Sequence, residues 1–284
     1  MERKPSMEAS SVPTISGEEG QQATKPGGTL PPWLQGMSRR VVPLVVVLII
    51  WVIVTEVIGV NPLFLPGPTL MWSTFLDMLP QLPGAIRYSM TMILSGFALG
   101  TGAGVLLGLA MAYSWVVRFG AESITDFLRP VPIFALIPLF ILWFGIGMMP
   151  QIALIAFGCF VIVVVNTSEA IRNVKPLYMQ AAYTLGAKRR YAYRTVIVPA
   201  IIPEVIGAVR VAAAASFGLD VAAEFLGAQQ GLGHLMINNQ LYLRTEGILI
   251  PIIIFSLLAL MLDTVLRRSG DYLTRWSERT ASEH

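Results

Sequence analysis

Asp220 and Glu224 stand one helical turn apart within an apolar run, Thr195–Phe225. Carboxylates at that spacing share one helix face; an ionised Asp220 can attract a ligand's ammonium group or repel a plain anion, and a desolvated one can be protonated instead. In hydrocarbon each is costly unless it faces a cavity or a partner. A scaffold hydrogen bond for Glu224 and a buried polar partner for Asp220 are the bland alternatives. Arg210 lies in the same run and can pair with an acid, draw anions through a pore, or snorkel toward water. Asn166 closes the preceding apolar run, either lining a solute route or capping the chain's exit.

Reactive constellations are scarce. His234 and His284 are too far apart for a metal cluster, and no carboxylate pair joins them. No serine or cysteine nucleophile stands beside a base. The glycine-rich GTGAGVLLG, Gly100–Gly108, lacks the Gly-Lys-Ser/Thr that a phosphate loop needs and sits in apolar sequence. Cys159, the single cysteine, also falls in an apolar run and reads as an inert core thiol. These features predict no catalytic residue, no metal site and no cofactor bound by this chain. Energy for any work must come from another chain or from an ion gradient.

One polar insert, KPLYMQAAYTLGAKRRYAYR (Lys175–Arg194), breaks cleanly from its apolar flanks. Six of the twenty Lys and Arg residues lie in it or beside it, Arg172 included. Pro176 suits a first helical turn, Leu177, Ala181, Ala182 and Leu185 form a stripe at helical spacing, and Gly186 ends it as a C-cap glycine would. Such a helix can rest on headgroups, with Lys188, Arg189 and Arg190 holding anionic lipid. It can equally be a handle for a soluble partner. The stripe alone leaves both open.

The elements that must position these residues are hydrocarbon-grade. The chain has 284 residues, 55% hydrophobic and 13% charged, with mean hydropathy +0.66. Soluble domains carry roughly 25% charged residues, so this is an integral membrane protein. Apolar runs at Val41–Ile58, Thr91–Tyr113, Val131–Met148, Gln151–Ile171, Thr195–Phe225 and Ile248–Leu266 predict six spans. The third is short and proline-broken; the fifth is long enough for its first turns, around Pro199 and Pro203, to emerge at the surface. Pro62, Pro66 and Pro68 predict an outer turn, and Thr69–Leu79 a short interfacial helix. Gly96, Gly100, Gly104 and Gly108 recur every four residues and leave a smooth stripe for another backbone. The polar start predicts a disordered tail over residues 1–36 and no cleavable signal peptide.

Basic residues set the orientation. With the amino terminus inside, seventeen Lys and Arg fall in cytoplasmic segments, against Arg87 and Arg244 outside, while Arg210 lies within a span. Both termini and the insert are therefore expected on the cytoplasmic side of the membrane.

Gln180-Ala181-Ala182, Gly186 three residues further on, and Val196-Ile197-Val198-Pro199 after nine more resemble the cytoplasmic signature of ABC importer permeases. That signature reads Glu-Ala-Ala, three residues, Gly, nine residues, Ile-x-Leu-Pro. The departures are Gln180 for Glu and Val196 and Val198 for Ile and Leu. LFLPGPT (63–69), LRPVPIFALIPLFILWFGIG (128–147), NTSEAIRNVKP (166–176) and VAAEFLGAQQGLGHL (221–235) are similar to segments of the nitrate/sulfonate/taurine-type permeases.

The resemblance implies an all-α polytopic membrane bundle of six transmembrane helices, the type I ABC importer permease fold with a cytoplasmic coupling helix. It divides the chain into a cytoplasmic tail (1–36), a first transmembrane helix with outer elbow (37–90), a core permease domain (91–268, coupling helix 176–190) and a second tail (269–284). Tyr178, Met179, Gln180, Ala181, Ala182 and Leu185 would couple to an ATPase, with Gly186, Ala187, Lys188, Arg189 and Pro199. Asp220, Glu224, Arg210 and Asn166 would mark the substrate pathway. Glu224 matches a glutamate usual in the subgroup, whereas Asp220 replaces a residue commonly apolar there. Implied partners are two ATP-binding cassette subunits holding ATP and Mg, a second permease chain, an extracytoplasmic solute-binding protein and the bilayer, with no nucleic acid. The implied cargo is a small anion or zwitterion, taurine or another sulfonate first and nitrate or bicarbonate second. An aromatic acid or vitamin precursor is the alternative within the family. An ion-coupled secondary transporter would need midplane ion sites or related halves, and neither half resembles the other.

Overall fold

The computed structural model describes residues 42, 43 and 45–274; the expected 1–36 tail and residues 275–284 lie outside these. The chain forms two units, one ending at Ile50 and the other Trp51–His284. All regular structure among the described residues is helical. A shorter apolar helix, α1 (Val45–Val57), finishes in the π-helical turn Ile53–Val57. Pro68 then opens α2 (Pro68–Met78), where its missing N–H costs no intrahelical bond. The short helix expected over Thr69–Leu79 is present, shifted by one residue.

The second unit is organised around α3 (Leu82–Tyr113), α6 (Met148–Asn173) and α9 (Val198–Gly227). Half of the apolar window of α6 is buried, against 22% for the span ending in α9 and 17% for α11 (Thr245–Leu273), so α6 is central and the other two keep open faces. The glycine stripe explains the α3–α6 contact. A Cβ at Gly96, Gly104 or Gly108 would crowd Ile155, Val163 or Thr167, and at Gly100 it would strike the α6 backbone at Ala156. Without those side chains the helices close together, burying Met92, Ile155, Cys159 and Val163 with Ala212 and Leu219 of α9. The Cys159 thiol donates to the Ala212 carbonyl at 3.5 Å. Both α3 and α11 begin earlier than hydropathy predicts, at Leu82 and Thr245, because their first turns pack with α10 (Leu232–Leu241) in a cluster of Leu82, Leu232, Ile250 and Phe255. At its other end α11 continues to Leu273, past the boundary expected at 269.

The span expected over Val131–Met148 is not one helix. Pro130 and Pro132 break the chain, so α4 (Trp115–Leu128) gives way to a 3-10 turn, Ile133–Leu136, and α5 (Ile137–Phe144), bent by 87°. Eight residues rise about 12 Å, well short of a hydrocarbon core of roughly 30 Å. Four helices among the described residues are long and apolar enough to cross, or five with the bent pair as one span. Six are reached only by adding the shorter α1.

The insert is also two helices rather than one over 176–190. They are α7 (Pro176–Thr184) and α8 (Arg189–Ala192), the latter running through a π-helical turn, Tyr193–Ile197, into α9. Gly186, at φ +79°, makes the break. Its N–H bonds to Tyr183 O at 2.9 Å and the Ala187 N–H to Ala182 O at 3.0 Å, the paired closure of a Schellman C-cap.

Candidate functional site

The insert sits at one end of the bundle, called here the basic end. Arg189 Nη2 donates to the Tyr113 carbonyl, 2.9 Å away, and the guanidinium lies over the Tyr113 ring. Tyr193 donates its hydroxyl to Leu109 O at 2.8 Å and meets Tyr113 edge-on. The cation thereby satisfies a carbonyl left over at the α3 terminus, and the hydroxyl adds a second bond to a carbonyl one turn earlier. Thus Arg189 braces the insert against α3 within the chain itself.

So fixed, the insert bounds an open, largely apolar recess of about 880 Å³. Tyr178, Ala181, Ala182, Leu185, Gly186, Ala187 and Lys188 line one side, and Tyr191, Thr195 and Val196 the other. Leu185 is 88% exposed at its lip. Met179 turns instead toward α3, in a smaller recess with Tyr113 and Arg189. Gln180 is exposed, its carbonyl accepting from the Thr184 hydroxyl, and Pro199 lies half-buried in the first turn of α9.

An ion cluster ties α4 to α6 just before the insert. Arg118 Nε, Arg172 Nε and the Ser168 hydroxyl all donate to Glu122 Oε1, at 3.0, 3.0 and 2.9 Å. With Arg118, Glu122 and Asp126 among its fourteen residues, α4 is amphipathic and lies outside the long apolar spans. Partial burial alone would raise the Glu122 carboxyl. Hydrogen bonds from Arg172, Arg118 and Ser168 outweigh it and hold the group at about 2.

The pathway candidates separate. Glu224 is buried and caps α10 from a distance. Its Oε1 accepts from Ser89 at 2.6 Å, and its Oε2 accepts the N–H groups of Gly233 at 2.5 Å and His234 at 3.3 Å. Ser89 in turn accepts from the Leu232 N–H at 2.9 Å. A helix N-terminus is a ready anion site, and Gly231 and Gly233 leave the notch: a Cβ on either would run into the carboxylate. Asp220 is 0% exposed, and neither of its oxygens has a donor in hydrogen-bond geometry among the described residues. Arg210 forms a two-pronged pair with Asp263 of α11, at 3.0 and 3.1 Å. Asn166 donates to Ile162 O in its own helix.

Residues 100–278 match the family model described as binding-protein-dependent transport system inner membrane component. The chain belongs to that family. Its relatives include the taurine transport system permease protein TauC of Escherichia coli (strain K12), 31% identical over 86% of this chain and 93% of that one. SsuC of Bacillus subtilis (strain 168), whose name provisionally assigns it to aliphatic sulfonates transport, is 29% identical over 94% and 96%. The crystal structure of an amino acid ABC transporter with histidines superposes with a TM-score of 0.57 over 72% of this chain and 97% of its counterpart, at 17% identity. That likeness establishes the fold. The chain is thus a multi-pass permease subunit of the ABC importer type.

In this permease the residues that sequence reasoning passed over are Ser89, Asp263, Glu122 and Gln151. Gln151 of α6 is buried, its carbonyl accepting from the Tyr88 hydroxyl of α3 at 3.3 Å, and its amide nitrogen has no acceptor among the described residues. Ser89, Asp263 and Gln151 are polar residues within long apolar helices, whereas Glu122 lies on the amphipathic α4. For the first three that was the available signal, since such residues in membrane helices mark partners or routes.

Proposed function

We propose that this permease forms half of the pore of an ATP-driven importer for a small sulfonate, with taurine the first candidate and nitrate or bicarbonate the second. An extracytoplasmic binding protein would deliver the solute. Two ATP-binding subunits, holding ATP and Mg, would dock at the recess beside α7. The observation that carries the coupling role is that recess: an exposed apolar pocket with a cationic rim, closed by an αL glycine and braced to α3. Lipid contact favours a single helix lying flat, whereas this recess is bounded both by α7 and by the segment that leads into α9. Names of the TauC and SsuC relatives support the sulfonate assignment.

The Arg210–Asp263 pair supports a second permease chain or a pore against the open face of α9 and α11. Both side chains remain about two-fifths exposed, 38% and 44%, Arg210 within α9 and Asp263 in the last third of α11, four residues before Arg267. Ions turned toward lipid there are expensive, so protein or water covers that face.

The test is reconstitution with the cognate ATPase and binding protein, comparing Gly186→Val and Leu185→Asp with wild type. The first forces a β-branched residue into αL backbone, costing about 1–2 kcal/mol or more. The second places a charge on a side chain already exposed, so it leaves the chain's own packing intact. Both are expected to lower co-purification of the ATPase and taurine-stimulated ATP hydrolysis at least tenfold. Unchanged assembly and hydrolysis in both variants would overturn the docking role. A binding protein that takes nitrate rather than taurine would overturn the cargo.

A further inference from the structure

At the end of the bundle opposite the insert, a polar recess of about 500 Å³ opens between the start of α3, the turn before α6, and Gln229–Gln230. Arg87, Tyr88 and Thr91 form its α3 wall. Gly147, at φ +140°, shapes the opposite side. An adjoining recess of about 330 Å³ shares Gln229 and Gln230 and adds Gln81, His234 and Asn238. Among the described residues, Arg87 is the one cation lining the main recess, and neither recess has a carboxylate in its lining.

Arg87 stands apart by position: it lies in the second turn of α3, whereas Arg189, Arg190 and Arg194 belong to the insert and Arg267 and Arg268 to the last turns of α11. Arg118, Arg129, Arg172, Arg210 and Arg244 are each paired with an acid. The Arg87 guanidinium has no acidic partner among the described residues. Its strand of helix also runs against the basic asymmetry, since it is one of two basic residues expected outside and the other, Arg244, is paired with Glu246. The two carboxylates behind this wall, Asp220 and Glu224, are buried, and Glu224 is engaged by Ser89, Gly233 and His234. An unpaired guanidinium among neutral amide and hydroxyl donors matches the trigonal oxygens of an oxyanion head group.

We infer that this recess is an anion subsite of the permease, in which Arg87 takes the sulfonate group of the solute before it enters the bundle. Tyr88, Gln229 and Gln230 flank that group, and the amino end of a zwitterion would point toward the buried carboxylates. The subsite rests on the importer reading for its place in transport, but its affinity for anions can be read without ATP.

The experiment measures equilibrium binding of labelled ethanesulfonate and taurine to the purified full transporter in nanodiscs, without binding protein, for wild type, Arg87→Gln and Arg87→Lys. Arg87→Gln should weaken both ligands by roughly ten- to a hundredfold, the range for losing a hydrogen-bonded charge. Arg87→Lys should retain part of the affinity, because it keeps the charge but not the fork. Equal loss for the two ligands identifies the sulfonate as the group being read. Affinity for the binding protein is measured alongside. If Arg87→Gln weakens docking of that protein and leaves ethanesulfonate binding unchanged, Arg87 serves an acidic partner surface and the subsite is overturned. Wild-type binding no tighter than that of Arg87→Gln also overturns it. A transporter that binds ethanesulfonate through Arg87 yet hydrolyses no ATP with taurine-loaded binding protein would uphold the subsite and refute the importer reading.

Discussion

Single side chains in this permease are decided by where their partners come from. Glu224 looks like a translocation carboxylate when read along its own helix. In three dimensions it caps α10, through Ser89 lying 135 residues away and the N–H groups of Gly233 and His234. Glu122 shows the same dependence with a measurable consequence. Its folded value of about 2 lies below the ordinary 4.5, so its stabilisation is fully present above pH 4.5 and is lost as pH falls through about 2. Glu122→Gln should therefore cost about 1–3 kcal/mol at neutral pH and flatten the acid limb of stability below pH 4.5. Thermal unfolding of the detergent-purified subunit across pH 7 to 3 checks both. A mutant that keeps the full acid dependence of wild type would place that dependence elsewhere.

Among elements, α3 and α6 show how a sequence pattern becomes a contact. Glycines spaced four apart mark a close-packing face but do not say which helix arrives. The structure brings α6, with Ala156 against Gly100, while Gly102 on the opposite face has nothing within 4 Å of a would-be Cβ. The two positions should respond with opposite sign. Gly100→Ala is expected to destabilise by about 1–3 kcal/mol through overpacking. Gly102→Ala should stabilise by about 0.5–1 kcal/mol through reduced backbone entropy. Unfolding of the two variants in detergent under one protocol settles it, and a like-signed pair of shifts would contradict the packing. The bent α4–α5 pair had a visible cause in Pro130 and Pro132, but its 87° angle is set by how α5 lies against α6 and α9 through Ile137, Phe140, Leu154 and Ala223.

For the whole molecule, the seventeen-to-two distribution of basic residues predicts the insert in the cytoplasm and Gln229–Gln230 outside. Impermeant maleimide tests this directly, because native Cys159 is buried and silent. In right-side-out vesicles, Gln230→Cys should label and Lys175→Cys should label only after lysis. The reverse pattern would invert the topology and place the α7 recess outside.

Sequence by itself determined what depends on short range. Hydropathy determined membrane residence, Pro176 and Gly186 the bounds of α7, and the Gln180–Pro199 spacing the family resemblance. These are properties of one helix or one turn, written in adjacent residues. Tertiary structure alone decided that Arg210 meets Asp263, that Glu224 holds α10, and that Arg87 stands without an acid in a polar recess. Such contacts join helices that are distant in sequence, and a lone polar residue in an apolar run carries no record of which partner packing will bring to it.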